Sequence, residues 1–283
     1  MFPFPAELLV VVFGLAAAMS WGTGDFSGGI ATRKASVYIV VMITQFIGFF
    51  LLVTTGHITS EPFPLKIDYL WALLVGIFGN VGILSLYKGL SSGKMGLVAP
   101  VSAVVAVLVP VIYSLFTEGL PAFHKILGFS IALVGVWLVS SSSSMSKINT
   151  GDLKLPFLAG LGFGLAYISI SNFSGVSIFW TLAVAKIEGA TILLLFLLSK
   201  GNLCIPARKV ALPILIAGIG DTAGSIFFTA ASQVGRLDIA TVTSALYPAG
   251  TVLLSWIVLG EYLSSRQWMG VFMALFSVIL LSV

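Results

Sequence analysis

The two halves of this chain repeat the same short motifs in the same order. The repeated residues, at offsets of 142 or 143 positions, are Gly93-Lys94, Ser102-Ala103, Glu118 and Gly128 in the first half and Gly235-Arg236, Ser244-Ala245, Glu261 and Gly270 in the second. Each half also contains five long apolar stretches. Because five is odd, the second half has to enter a membrane from the side opposite to the first, as in the inverted-topology repeats of secondary transporters.

The apolar stretches are long enough to be transmembrane helices. Hydrophobic residues make up 58% of the chain and charged residues 8%, and the mean hydropathy is +1.12. A soluble chain of 283 residues does not need so much apolar surface, whereas about 20 apolar residues span a hydrocarbon core of about 30 Å as a helix. We therefore predict an all-α integral membrane protein with ten transmembrane helices, which cover residues 7–32, 36–56, 68–90, 95–116, 122–143, 155–176, 178–199, 209–233, 237–258 and 265–283.

A polar, serine-rich stretch from Ser140 to Lys154 separates the two halves. We predict a first repeat over residues 1–145, a linker over 146–154 and a second repeat over 155–283. The other loops are short, so no soluble domain is expected. The residues before the first span carry no Lys or Arg and no clear cleavage site follows, so we expect this span to be retained and not removed as a signal peptide.

Cysteine, histidine and net charge argue against several other functions. The single Cys204 cannot form an internal disulfide, and His57 and His124 lie near predicted loops without a cluster of ligands. We therefore expect no metal site and no cofactor. The net charge is +4, with basic residues placed singly or in pairs at helix ends, which is typical of membrane anchoring and not of nucleic-acid binding.

The distribution of Lys and Arg predicts the orientation. Three of the 14 basic residues fall on the face that holds both termini, ten fall on the opposite face, and Lys186 lies inside a span. The positive-inside rule then places both termini outside the cytoplasm of a multi-pass protein, which we expect in the plasma membrane.

Two motifs resemble a known family. The segments are 21–26 (Trp-Gly-Thr-Gly-Asp-Phe), 259–263 (Leu-Gly-Glu-Tyr-Leu) and 267–270 (Gln-Trp-Met-Gly). They are similar to EamA-type members of the drug/metabolite transporter superfamily, and the resemblance spans nearly the whole chain. It implies two inverted five-helix repeats around a central cavity, with small metabolites moved by alternating access. Relatives export amino acids or aromatic compounds, or exchange nucleotide sugars or sugar phosphates; many are drawn with cytoplasmic termini, contrary to our loop count.

The chain departs from the common pattern of this family at two places. Relatives often carry Trp-Gly-Ser-Asn-Phe in the first helix, where this chain has Asp25 before Phe26 and one extra residue. They also often have an Arg before Phe in the second helix, where this chain has Gln45-Phe46. The second half has a cationic residue, Lys186, at the position that aligns with Gln45. We therefore do not transfer the ligand contacts of relatives to these positions.

At least four ionisable residues lie near the middle of predicted spans: Asp25, Lys186, Glu188 and Asp221. Each costs roughly 2.5 to 3.5 kcal/mol near mid-bilayer on insertion scales, so each requires a partner, a cavity or a function.

Asp221 lies near the centre of its span and begins a polar stripe. Ser225 and Thr229 follow at i+4 and i+8, which puts the three on one helix face. Its counterpart in the first half, at offset 141, is Asn80. The stripe indicates either a cavity wall or small polar residues that join helices.

Trp21 and Asp25 lie four residues apart and share a helix face. An aromatic ring beside a carboxylate could hold an amine by charge and cation–π attraction. The second half repeats this pair loosely as Tyr167 and Asn172. The alternative is that Asp25 lies close enough to the helix end to reach water.

Lys186 and Glu188 are two residues apart and cannot pair with each other on a helix. Lys186 aligns with Gln45 at offset 141. It could balance an acidic group of a substrate, Asp25 or Asp221, or belong to a purely structural pair. Glu188 could carry a proton.

Prolines in the fourth and ninth spans predict kinks that free backbone carbonyls for a cavity or a hinge. These are Pro100, Pro110 and Pro248, with Ser102, Ser244 and Tyr247 near them. Tolerance by packing is the alternative. Glu118 and Glu261 end these helices and are expected to have structural roles.

The resulting prediction is a secondary transporter of a small polar or amphipathic metabolite that is amino acid-like, aromatic or cationic. A gradient of protons, substrate or counter-substrate would drive it, since no nucleotide-binding loop occurs. The expected partners are the small-molecule substrate and the lipid bilayer, with the protein as a monomer or homodimer. A channel or accessory subunit is an alternative; an intramembrane enzyme using Asp25 and Asp221 is another, although no hydrolase motif supports it.

We predict no catalytic residues. The predicted cavity-lining residues are Trp21, Asp25, Gln45, Asn80, Tyr167, Asn172, Lys186, Asp221, Ser225 and Tyr247. The possible coupling carboxylates are Asp25, Glu188 and Asp221.

Overall fold

The computed structural model describes residues 5–91, 95–140, 153–259 and 264–282, and all regular secondary structure within these ranges is helical. The helices are α1 (Ala6–Thr32), α2 (Val37–Ile58), α3 (Lys66–Ser91), α4 (Met95–Thr117), α5 (Phe123–Ser140), α6 (Lys154–Ser171), α7 (Phe179–Ser199), α8 (Ala211–Val234), α9 (Leu237–Ser244), α10 (Tyr247–Leu259) and α11 (Ser265–Ser282). Glu261 and most of the predicted linker lie outside the described residues.

The helical segments are long and apolar enough to cross a membrane many times. Among the described residues, eight segments meet this condition by length and hydropathy, with α9 and α10 taken together as one. Two shorter apolar segments, Val101–Thr117 and Phe123–Val139, accompany them. The chain is therefore a multi-pass membrane protein, and the prediction of an all-α membrane fold is confirmed at this level.

The sixth predicted span is too long. It was expected to reach residue 176, but α6 ends at Ser171. The Asn172 side chain donates to the Ile168 carbonyl oxygen at 2.7 Å, which replaces a helical backbone bond. Gly175 then adopts a φ of +77°, a left-handed conformation that turns the chain away from the helix axis.

The ninth predicted span, 237–258, coincides with the apolar segment Leu237–Val258, and its helix is interrupted within the span. Ala245 and Leu246 form a turn between α9 and α10, and Pro248 lies in the first turn of α10. Proline is tolerated there because a backbone N–H in the first turn has no partner within the helix. α4, in contrast, continues through Pro110. The interruption predicted near Pro248 is therefore present, and α4 is a continuous helix at Pro110.

The helices of the two halves pack in matched pairs. α1 packs on α8 and α3 packs on α6, while α2 packs on α7 and α5 packs on α11. If each helix is replaced by its counterpart in the other half, the α1–α8 pair becomes the α6–α3 pair. The α2–α7 and α5–α11 pairs stay the same. The interface between the halves therefore has an approximate two-fold relationship.

A repeated contact between α5 and α11 supports this relationship. A Cβ atom on Gly128 would lie 2.9 Å from Leu281 Cδ2, and one on Gly270 would lie 2.8 Å from Val139 Cγ2 and 2.6 Å from its backbone nitrogen. Gly270 and Leu281 each follow their counterparts by 142 residues. The duplicated glycines thus allow the same close approach twice.

α1 and α8 approach each other closely at Gly24 and Gly220. A Cβ atom on Gly220 would lie 2.9 Å from Gly24 Cα and 2.7 Å from the Ser20 carbonyl oxygen. Small residues of this kind let membrane helices pack backbone against backbone. This crossing holds the charged residues of α1 and α8 beside each other.

Two acidic residues around the start of α3 bind the loop between α6 and α7. Glu61 accepts hydrogen bonds from the backbone N–H groups of Ile178 and Phe179, each at 2.8 Å, and so caps α7. Asp68 accepts from the Ser174 N–H at 2.7 Å and from its hydroxyl at 2.6 Å. Neither carboxylate was predicted from the sequence to have a role, and together they join the two halves.

Glu118 makes a second contact of this kind. It accepts from the Leu237 N–H at 3.1 Å, at the start of α9. Arg236 donates to the carbonyl oxygens of Glu118 and Gly119. Its hydrogen bond to Asp238 raises the pKa of Arg236 above the ordinary value, so the guanidinium stays charged. These contacts agree with the structural role predicted for Glu118.

Candidate functional site

A cavity of about 100 Å³ lies between the two halves. Helices α1, α2, α3, α6, α7 and α8 form its wall, together with the first residue of α10. Eight of the ten residues predicted to line a cavity do line it: Trp21, Asp25, Gln45, Tyr167, Lys186, Asp221, Ser225 and Tyr247.

An ion pair joins α7 to α8 in the cavity wall. The Lys186 ammonium donates to Asp221 Oδ2 at 2.5 Å. The Lys186 side chain is 10% exposed and that of Asp221 is 36% exposed. Of the partners considered for Lys186, the structure therefore selects Asp221, and the carboxylate is the more accessible member of the pair.

A neutral pair occupies the corresponding place in the first half. Gln45 Nε2 donates to Asn80 Oδ1 at 3.1 Å, between α2 and α3. Gln45 and Asn80 precede Lys186 and Asp221 by 141 residues each. The two halves thus make the same contact, once with charges and once with amides. Gln45 Oε1 is buried and has no hydrogen-bond partner among the described residues.

Asp25 is the other carboxylic acid of the cavity wall. It lies one residue after Gly24, and a Cβ atom on Gly24 would lie 3.1 Å from the Asp221 backbone nitrogen. Its side chain makes no hydrogen bond or ion pair within the described part of the chain. The structure therefore places an unpaired carboxylate beside the Lys186–Asp221 pair.

Aromatic side chains form the wall next to Asp25. Trp21 stacks on Tyr167 with ring centroids 5.5 Å apart and an interplanar angle of 23°. Phe228 packs against both rings from behind. The pair of Trp21 and Tyr167, which sequence alignment of the halves matched only loosely, is a direct contact across the halves.

Tyr87 lines the cavity, although the sequence analysis missed it. Gly76, Gly79, Ile83 and Tyr87 form the cavity face of α3, with the spacing of one helix face. That spacing was the available signal. Asn80, which was predicted to line the cavity, instead bonds to Gln45 and is not among the lining residues.

Three other polar residues hold structural positions. Asn172 ends α6 and also approaches the Tyr113 hydroxyl at 3.4 Å. The hydroxyls of Ser225 and Thr229 donate to backbone carbonyls one turn earlier in α8. Of these three, only Ser225 lines the cavity.

Glu188 lies outside the cavity wall, behind Gly76. A Cβ atom on Gly76 would overlap Glu188 Oε2, so the absence of a side chain makes room for the carboxylate. Oε2 is buried and has no hydrogen-bond partner among the described residues. Gly76 therefore separates the Glu188 carboxylate from the cavity.

The described residues contain no group of three or more His, Cys, Asp or Glu side chains able to hold a metal ion. His57 packs against Trp180, and Cys204 is exposed.

The fold and the cavity define a multi-pass membrane protein built from two similar halves. The sequence profile of the EamA-like transporter family matches residues 8–141 and again residues 150–283, and the chain belongs to this family. It is thus related to the membrane transporters of the drug/metabolite transporter superfamily, as the motifs predicted.

Two further similarities extend this result. An uncharacterised protein of Methanocaldococcus jannaschii is 31% identical over 100 residues, which make up 35% of this chain and 73% of that protein. One solved crystal structure superposes with a TM-score of 0.77 at 15% identity, over 96% of this chain and 95% of the other. The second similarity shows that the fold is shared.

Proposed function

We propose that this protein is a secondary transporter that moves a small polar or amphipathic metabolite across the plasma membrane by alternating access. The observation that carries the proposal is the cavity, which both halves build and which holds Asp25, Lys186 and Asp221 between apolar helices. Charged side chains in such a position mark substrate or ion pathways.

The proposed topology has ten membrane crossings in two inverted repeats, with boundaries at residues 1–145 and 155–283. In this topology α9 and α10 form one crossing. The matched packing of α1 on α8 and α3 on α6 supports it, because inverted repeats are related by a two-fold axis in the membrane plane. The basic loops then lie in the cytoplasm and both termini lie outside.

Alternating access requires contacts that break on one side when the cavity opens there. With ten crossings, Glu61, Asp68 and Glu118 lie on the face of the termini, and all three bind loops of the other half. We assign them to a gate on this face. Rocking of one half against the other would exchange these bonds for water.

The energy source in this proposal is a gradient. Asp25, Asp221 and Glu188 are the carboxylates available to take up a proton. Asp221 has the additional role of holding Lys186, so its state decides whether a buried ammonium is balanced.

Counterflow into proteoliposomes tests the function. Purified protein is reconstituted and supplied with a panel of labelled amino acids, sugars, nucleosides and organic cations, with and without a pH gradient. Saturable counterflow that Asp221→Asn abolishes is the expected result. Ohmic current without saturation would instead establish a channel, and conversion of a panel compound would establish an enzyme.

A further inference from the structure

We infer that the cavity selects a singly charged organic cation with an aromatic or apolar body, and that Asp25 takes either this cation or a proton. The inference rests on the proposed function, since it names the substrate class of the same site. The charge of the substrate is inferred from the ionisable groups of the cavity, of which Lys186 and Asp221 are paired with each other.

The charge balance of the cavity favours a cation. Lys186 and Asp221 neutralise each other, whereas Asp25 makes no hydrogen bond or ion pair with any described residue. An unpaired carboxylate in a low-dielectric interior is costly and requires one compensating positive charge. A proton supplies that charge in the empty site, and an ammonium group supplies it in the loaded site.

The accessible polar atoms point the same way. The Asp221 side chain is 36% exposed and the Lys186 side chain is 10% exposed, and both line the cavity, so the acidic member of the pair is the more accessible one. A substrate carboxylate would have to compete with Asp221 for Lys186.

The aromatic wall completes a site for a cation. Trp21 and Tyr167 stack on each other and both line the cavity beside Asp25. The faces of such rings attract ammonium groups, by about 2 kcal/mol or more where water is excluded. The same rings provide an apolar surface for the body of the substrate.

The groups that face Asp25 set its response to pH. They are Tyr87 from α3, Tyr167 from α6, Lys186 from α7, Asp221 from α8 and Tyr247 from α10. The tyrosines are neutral at physiological pH and the ion pair balances itself. Binding of a cation therefore releases the Asp25 proton to water, so one positive charge enters as one leaves.

The experiment uses three probes with one ring and different charges: 2-phenylethyl trimethylammonium, phenylalanine and 3-phenylpropionate. The quaternary ammonium cannot cross the bilayer as a free base. Binding to the purified full-length protein is measured by calorimetry between pH 5.5 and 8.5, and proton release is followed in weak buffer. The same preparation is reconstituted for counterflow.

We expect the quaternary ammonium to bind most tightly of the three probes. In the pH range where Asp25 is protonated, its affinity should fall about tenfold for each unit by which the pH is lowered, because the proton competes with the cation. Asp25→Asn should weaken binding at least about 30-fold and remove both proton release and the pH dependence. Glu7→Gln, a carboxyl-to-amide change at an exposed position of α1, should change none of these.

Tighter binding of phenylalanine or phenylpropionate by the wild-type protein would overturn the inference, and this comparison does not depend on any variant. Equal binding of the ammonium by Asp25→Asn would overturn it as well. Binding of the ammonium without saturable counterflow of any panel compound would contradict the transport function alone. Counterflow of phenylalanine without ammonium binding would contradict the cation site alone.

Discussion

Lys186 and Asp221 form an ion pair at the place where Gln45 and Asn80 form an amide hydrogen bond in the first half. The residues of each pair are 35 positions apart, and each lies on the second and third helices of its half. The contact itself therefore comes from the repeated scaffold, while its charge belongs to the second half only.

This relationship predicts which substitutions the ion pair tolerates. Asp221→Asn leaves the Lys186 ammonium buried without a balancing charge and should lower the free energy of unfolding by up to about 3 kcal/mol. The double change Lys186→Gln with Asp221→Asn recreates the amide pair of the first half and should recover most of that loss. Thermal unfolding in detergent measures both. A double variant less stable than Asp221→Asn would contradict the equivalence of the two pairs.

The crossing of α1 and α8 should not accept a side chain. Gly220→Val places carbon atoms against the Ser20 carbonyl oxygen and the Gly24 backbone, and overpacking of this kind costs about 1 to 3 kcal/mol. Gly29→Ala on α1 is the matched control, because no atom lies within 4 Å of the added Cβ. We expect a lower melting temperature and lost counterflow for Gly220→Val, with Gly29→Ala as stable as the wild type or slightly more stable.

Weakening the contact of Glu61 with α7 should favour opening on that face. Glu61→Gln keeps one acceptor oxygen but loses the charge at the helix start, which costs about 1 to 2 kcal/mol of the closed state. The open population should rise roughly 5- to 30-fold. The rate at which a maleimide labels a Thr44→Cys variant, in a Cys204→Ser background, reports cavity access. An unchanged rate would remove Glu61 from the gate.

The orientation of the termini can be tested directly. A cysteine at Ser146, outside the described residues, should resist an impermeant maleimide applied to intact cells. One at Leu120, which is 82% exposed between α4 and α5, should react. Both are introduced in a Cys204→Ser background. Labelling at Ser146 with protection at Leu120 would reverse the orientation derived from the basic loops.

Much of the helical architecture could be predicted because membrane helices satisfy their own backbone hydrogen bonds. Length and hydropathy then suffice to place α1 or α7 within a residue or two. The error occurred where a side chain decided the outcome, because Asn172 ended α6 early. The span expected over 237–258 is present, with a break in its helix at Ala245 and Leu246.

The candidate site divides in the same way. The sequence alone determined the helices, the duplication, the unusual charges at Asp25, Lys186 and Asp221, and the equivalence of Gln45 with Lys186, because these depend on local hydropathy and on counting residues. Only the tertiary structure decided that Lys186 pairs with Asp221, that Asp25 has no partner among the described residues and that Tyr87 lines the cavity. These outcomes depend on how each helix is rotated about its axis, which glycine contacts between the halves set and periodicity within one helix does not.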